Sequence, residues 1–109
     1  MLYKVVESTI AINGTVSDTV DLGNMAVVGL IIPTIDSGNL TFQAAAVADD
    51  TPVTVKNSSG SAIAITAGTG GFALDCDSLT EVAAYRWIRI VAATAQTSAA
   101  VTFKWVLKG

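Results

Sequence analysis

The chain has 109 residues, of which 51% are hydrophobic and 14% are charged, and its formal net charge is -3. Soluble domains carry about 25% charged residues, so this surface has few charges, and the hydrophobic content excludes a disordered chain. The length suits one domain over residues 1–109, and the six Lys and Arg are too scattered for nucleic-acid binding.

Apolar residues recur with a period of two, and small polar residues separate the apolar runs. This is the pattern of short, half-buried strands joined by turns. In chain order it predicts about eight strands and a ninth near the C-terminus: Tyr3–Ile12, Thr15–Asp21, Ala26–Ile32, Leu40–Val47, Val53–Lys56, Ala62–Thr66, Gly71–Asp75, Arg86–Ala92 and Ala99–Leu107.

Turn residues support these divisions. Asn13 and Gly14 tolerate positive φ and predict a turn after the first strand. Pro33 predicts the end of another strand because proline cannot donate a ladder hydrogen bond. Ser78 and Glu81 have the spacing of a capping box, which predicts at most one short helical turn near residues 78–84.

Strands at this spacing, with no long helices between them, predict an all-β protein. We expect an antiparallel β-sandwich with a jelly-roll or immunoglobulin-like arrangement of its strands. Few aromatic rings are available to fill its core, and each buries roughly 150–250 Å². Those expected to carry much of the burial are Phe42, Phe72, Trp87, Phe103 and Trp105.

Catalytic and metal chemistry have few candidate groups in this sequence. The chain has no histidine, and the lone Cys76 has no base to activate it and is interpreted as a small buried hydrophobe. One cysteine without histidine cannot build a usual zinc site. We therefore expect no catalytic residue, no cofactor and no metal site. Asp49, Asp50, Asp75 and Asp77 are interpreted as solvated turn residues, and Ca²⁺ binding by these carboxylates is the alternative that stays open.

Membrane insertion and secretion are not expected either. The longest strongly apolar stretch, Met25–Ile32, has eight residues, whereas a spanning helix needs about 20. The first residues show no cationic segment followed by an apolar one, so we predict no secretory signal. Synthesis in the cytoplasm is the resulting expectation.

The most distinctive short run is Tyr85–Ile90, in which two arginines alternate with aromatic and branched residues. Strand periodicity places Tyr85, Trp87 and Arg89 on one face and Arg86 on the other. An arginine here can stack on an aromatic ring or pair with the carboxylates at positions 75 and 77. We favour a structural role, in which the apolar stem of the arginine covers rings at a sheet margin, over ligand binding. The candidate interface or ligand-stacking residues are Tyr85, Arg86, Trp87, Arg89 and Trp105.

A resemblance follows from the order of these segments between residues 16 and 92. The segments are Val20–Asn24, an apolar strand ending at Pro33, Asp36–Ala44, and Leu74-Asp75 ahead of Tyr85–Ile90. In this order they resemble small virion proteins of tailed bacteriophages. In such proteins a sandwich or jelly-roll domain decorates the capsid or forms part of a tail or fibre. The resemblance implies a structural role without catalytic residues.

A charge-poor β-domain has apolar surface and strand edges that assembly can cover. The leading expectation is a non-enzymatic capsid decoration (cement) protein in the virion, made in the host cytoplasm. It would form a homo-oligomer, with a trimer favoured, and contact the major capsid protein or another virion protein, but not nucleic acid or a membrane. The alternative is a carbohydrate-binding or adhesion module of a tail fibre, with Tyr85, Trp87 or Trp105 stacking on a glycan.

Overall fold

The computed structural model describes residues 3–36, 38–68, 70–75 and 85–109. The helical turn expected near residues 78–84 lies outside these ranges, as do Cys76 and Asp77. Within them, no helix is long and apolar enough to cross a membrane. The described strands are β1 (Tyr3–Ile10), β2 (Val20–Asp21), β3 (Ala26–Ile32), β4 (Gly38–Ala45), β5 (Val53–Thr54), β6 (Ala64–Ala67), β7 (Phe72–Asp75), β8 (Trp87–Ala92) and β9 (Val101–Lys108).

The strands form two antiparallel sheets that pack face to face. In the first sheet the order is β1-β9-β3-β7, and in the second it is β2-β8-β4-β5, with β6 also paired to β4. Apart from β4 and β5, strands that are neighbours in these sheet orders are not consecutive in the sequence. The predicted antiparallel β-sandwich is confirmed.

Local turn and strand signals account for several of the boundaries. The predicted strand Ala26–Ile32 has those bounds in the structure, and Pro33 follows its last residue. Asn13 adopts a left-handed φ of 67°, and the Gly14 N–H donates to the Ala11 carbonyl at 2.9 Å. These contacts reverse the chain directly after β1.

The prediction of a strand over Thr15–Asp21 is wrong in length, since only the last two residues form β2. Ser17 makes a single bridge to Ile10 in the first sheet, whereas Val16 makes a single bridge to Val91 in the second. The chain crosses from one sheet to the other at this point. Its alternating pattern therefore cannot continue into one ladder.

The core lies between the sheets and is centred on two aromatic rings. Phe42 and Trp105 have no exposed surface, and their rings meet edge to face with centroids 5.9 Å apart. The Trp105 indole Nε1 donates to Ser8 Oγ at 3.1 Å. Phe103 is also fully buried, whereas Phe72 only packs against the margin of the core.

Candidate functional site

The outer face of the second sheet carries an ion pair beside an aromatic ring. Asp21 lies opposite Trp87 in the β2–β8 register, and Arg86 directly precedes β8. Arg86 Nε donates to Asp21 Oδ1 at 2.6 Å, and Arg86 Nη2 donates to Asp21 Oδ2 at 3.0 Å. The guanidinium carbon also lies 5.0 Å from the centroid of the Trp87 ring. One cation is thus held both by a carboxylate and by an aromatic face.

Hydrogen bonding keeps both members of this pair charged. The Arg86 guanidinium, followed by the N–H of Gly23, lowers the pKa of Asp21 to about 2. The Asp21 carboxylate in turn raises the pKa of Arg86. Neither group exchanges a proton near neutral pH, so the pair can orient a ligand or a neighbouring ring but is unsuited to acid–base chemistry.

A second polar contact lies further along the same face. Arg89 in β8 lies opposite Gln43 in β4, and Arg89 Nε donates to Gln43 Oε1 at 2.6 Å. Both side chains are half-buried, as is the Trp87 ring. The outer face of the second sheet therefore combines an aromatic surface with guanidinium and amide groups, which is the chemistry used to bind polar, ring-shaped ligands.

The structure separates the candidate residues predicted from the sequence. Arg86, Trp87 and Arg89 share one face, and Tyr85 is 44% exposed just before β8. Trp105 is corrected, because it is fully buried between the sheets and has no surface for a ligand. The placement of Arg86 is corrected too, since it precedes the strand and pairs with Asp21 outside the core.

The outer face of the first sheet is more apolar. Val5 is 55% exposed and Ile31 is 41% exposed, and Tyr3 is 64% exposed beneath the Lys108 ammonium, which lies 4.8 Å from its ring centroid. Three rows of outward-facing residues cross β1, β9 and β3: Tyr3–Lys108–Ala26, Val5–Val106–Gly29 and Glu7–Lys104–Ile31. An apolar row with charged neighbours is thus available for contact with another protein surface.

A cavity of about 400 Å³ opens at the end of the sandwich where β3 ends and β9 begins. It is lined by Thr34, Ile35, Asp36, Gln96, Ser98, Ala99 and Val101. The Asp36 carboxylate accepts hydrogen bonds from the hydroxyls and backbone N–H groups of Thr97 and Ser98. These contacts, led by the Ser98 hydroxyl, lower the pKa of Asp36. Gln96 is almost fully buried, and its Oε1 accepts from the Asp36 N–H at 2.8 Å. The polar groups at this cavity therefore join two loops.

Sequence reasoning missed this loop junction. The partners Asp36 and Gln96 are 60 residues apart, and no sequence pattern links them. Asp49 and Asp50 lie exposed after β4. In the part of the chain that the structure describes, no group of three or more acidic, cysteine or histidine residues could hold a metal ion.

Comparison with known proteins yields a likeness of fold. The sequence matches no family model and no curated protein. The structure is similar to the crystal structure of the SPBc2 prophage-derived protein YomS, with a TM-score of 0.52 and 11% sequence identity. The alignment covers 98% of this chain and 95% of that chain. The two proteins therefore share a fold along nearly their whole lengths.

This likeness includes the scaffold that carries both outer faces. At 11% identity it transfers no residue role to Trp87, Arg89 or Val5.

Proposed function

We propose that this chain is a non-enzymatic structural protein of a phage particle, and specifically a capsid decoration protein that binds the assembled shell as a homo-oligomer. The observation that carries the proposal is the fold shared with a prophage-derived protein over 98% of this chain and 95% of the other. A match of that extent compares whole domains rather than one common motif.

The strand order supports this proposal. We interpret the strand orders β1-β9-β3-β7 and β2-β8-β4-β5 as those of a jelly roll, in which two Greek keys form two facing sheets. This architecture is used by viral capsid domains and by lectins. Both the leading proposal and its alternative are compatible with this architecture.

The surface of the first sheet supports decoration over the alternative. Its row Val5–Val106–Gly29 is flanked by Lys104, Lys108 and Glu7, so an apolar strip is bordered by charges of both signs. Such a strip suits a flat protein partner better than a small polar ligand. A protein that binds only the assembled shell stabilises that shell by mass action.

Copy number in the particle tests the proposal. Quantitative mass spectrometry of purified virions should give a copy number close to that of the major capsid protein. A few copies per virion would place the protein in the tail, and its absence from virions would refute a structural role.

Binding to shells that lack the protein then tests the docking face. Ile31→Lys places a charge on the apolar outer face of the first sheet and should weaken shell binding. Thr54→Lys is the matched control, because Thr54 is exposed on β5 in the other sheet. Equal binding by both variants would exclude the first sheet as the docking face.

The alternative is a glycan-binding module of a tail fibre, favoured by the Trp87, Arg89 and Gln43 cluster. Aromatic rings stack on sugars while guanidinium and amide groups bind their hydroxyls. Binding on a glycan array that Trp87→Ala abolishes would establish this alternative. Val91→Ala, on the same strand and also half-buried, should leave such binding unchanged.

A further inference from the structure

Among the residues that the structure describes, nothing pairs with the outer edge of β1 along part of its length. β1 is the first strand of its sheet and pairs there with β9 alone. Near its end the edge is closed, because the Thr9 N–H donates to Asp18 Oδ1 at 2.6 Å and the Thr9 carbonyl accepts the Asp18 N–H at 3.3 Å. Over residues 3–7, no backbone hydrogen bond from another described residue reaches this edge, so an incoming strand can pair there.

The contacts of Thr9 also show which residues face this edge. Its N–H and carbonyl point away from β9, and backbone direction in a strand alternates with a period of two. Glu7, Val5 and Tyr3 therefore direct their backbone groups to the open side. An open row of this kind is a template for another strand, and Tyr3 and Val5 are among the most exposed apolar residues described.

We propose that this edge binds β1 of a second copy of the chain, antiparallel, with Val5 opposite Val5 of the second copy. The two sandwiches then lie side by side, and their first sheets join into one continuous sheet. To keep both cores on the same side, outward-facing residues must lie opposite outward-facing residues. The registers that meet this condition differ from one another by shifts of two residues.

Charge selects among these registers. Relative to the register with Val5 opposite Val5, a shift of two residues in one direction sets Lys4 opposite Lys4 of the second copy. Like charges directly opposite each other are destabilising. A shift the other way sets Glu7 opposite Val5 and requires the Thr9 backbone, which is already bonded to Asp18. The central register avoids both conflicts.

In the central register the two outer faces are complementary. Tyr3 lies opposite Glu7 of the second copy, so a row across the junction reads Lys108, Tyr3, Glu7 and Lys104, with the carboxylate between cations. The row formed by Val106 and Val5 lies between the two copies of that charged row. At the junction it meets the Val5–Val106 row of the second copy. The exposed apolar strip of one chain is extended by that of the other.

The backbone contribution follows from the same alignment. Val5 with Val5, and Tyr3 with Glu7 in each direction, form hydrogen-bonded pairs that exchange two bonds each, about six in all. Pairing joins the four-stranded sheets of the two copies and covers the open β1 edge of each. The contact is isologous and closes on two copies, so a trimer would need a different contact.

Light scattering after gel filtration tests the proposal with the isolated chain, independently of any role in a virion. The wild type should be a dimer at micromolar concentration, and Val5→Lys should weaken the dimer roughly tenfold or more by setting two ammonium groups opposite each other. Ile31→Lys is the control, because Ile31 is exposed on the same face but lies two strands from the edge. Circular dichroism establishes that both variants fold.

Cysteine cross-linking tests the register. In a Cys76→Ser background, Val5→Cys should give a covalent dimer on mild oxidation, since paired Cα atoms lie about 5.5 Å apart. Ile31→Cys should not. A monomeric wild type, a dimer that Val5→Lys leaves intact, or cross-linking through Val6→Cys in place of Val5→Cys would each overturn the proposal.

Discussion

Removal of the Ser8 hydroxyl tests the contribution of the buried hydrogen bond that this hydroxyl accepts from the Trp105 indole. Ser8 and Trp105 are both 0% exposed, and the bond between them is 3.1 Å long. Ser8→Ala leaves the indole N–H buried without an acceptor, which costs about 1–3 kcal/mol. The side chain loses one oxygen atom, so the cavity term is small. This loss is a substantial part of the roughly 5–15 kcal/mol expected for a domain.

Urea denaturation measures the loss. With a slope of about 1–3 kcal/mol per molar urea, a loss of about 2 kcal/mol lowers the midpoint by roughly 1 M. Trp105→Phe removes the donor, so Ser8→Ala should cost about 1 kcal/mol less in that background than in the wild type. An equal cost in both backgrounds would refute the hydrogen bond as the cause.

Three further predictions concern the core, the ion pair and the loop junction. Phe42→Ala should lower the free energy of unfolding by about 3–5 kcal/mol in urea denaturation, because it empties the centre of the core. The stabilisation from Asp21, whose pKa is lowered from 3.8 to about 2, is present above pH 3.8 and lost as the pH falls towards 2. Thermal melting should therefore show a weaker acid dependence in Asp21→Asn. Gln96→Ala leaves the Asp36 N–H without its acceptor and should cost about 1–3 kcal/mol, measured by urea denaturation.

Strand periodicity predicts most of this fold because each face of a sheet has one environment. The β9 segment shows this best, because every second residue from Val101 to Leu107 is buried and the residues between them face outward. Periodicity does not show where a ladder is interrupted. Ser17 and Val16 alternate like strand residues but bridge to different sheets.

The candidate site was predictable as a set of residue types but not as a set of partners. The sequence predicts that an arginine in this run either stacks on an aromatic ring or pairs with the carboxylates at positions 75 and 77. Arg86 does lie over the Trp87 ring, but its carboxylate is Asp21, 65 residues away. Alternation also failed for Arg86, because β8 begins one residue later. Trp105 could be read either as core or as a stacking surface, and only the packing of the two sheets places it inside.

The position of β9 has a consequence for how the chain acquires its fold. β9 lies between β1 and β3, and its Trp105 contacts Ser8 across 97 residues of sequence. During synthesis, β1 therefore leaves the ribosome long before its neighbour in the sheet exists. Sheets built from such remote pairings fold over milliseconds to seconds, so this domain should complete its folding after translation of β9 rather than strand by strand.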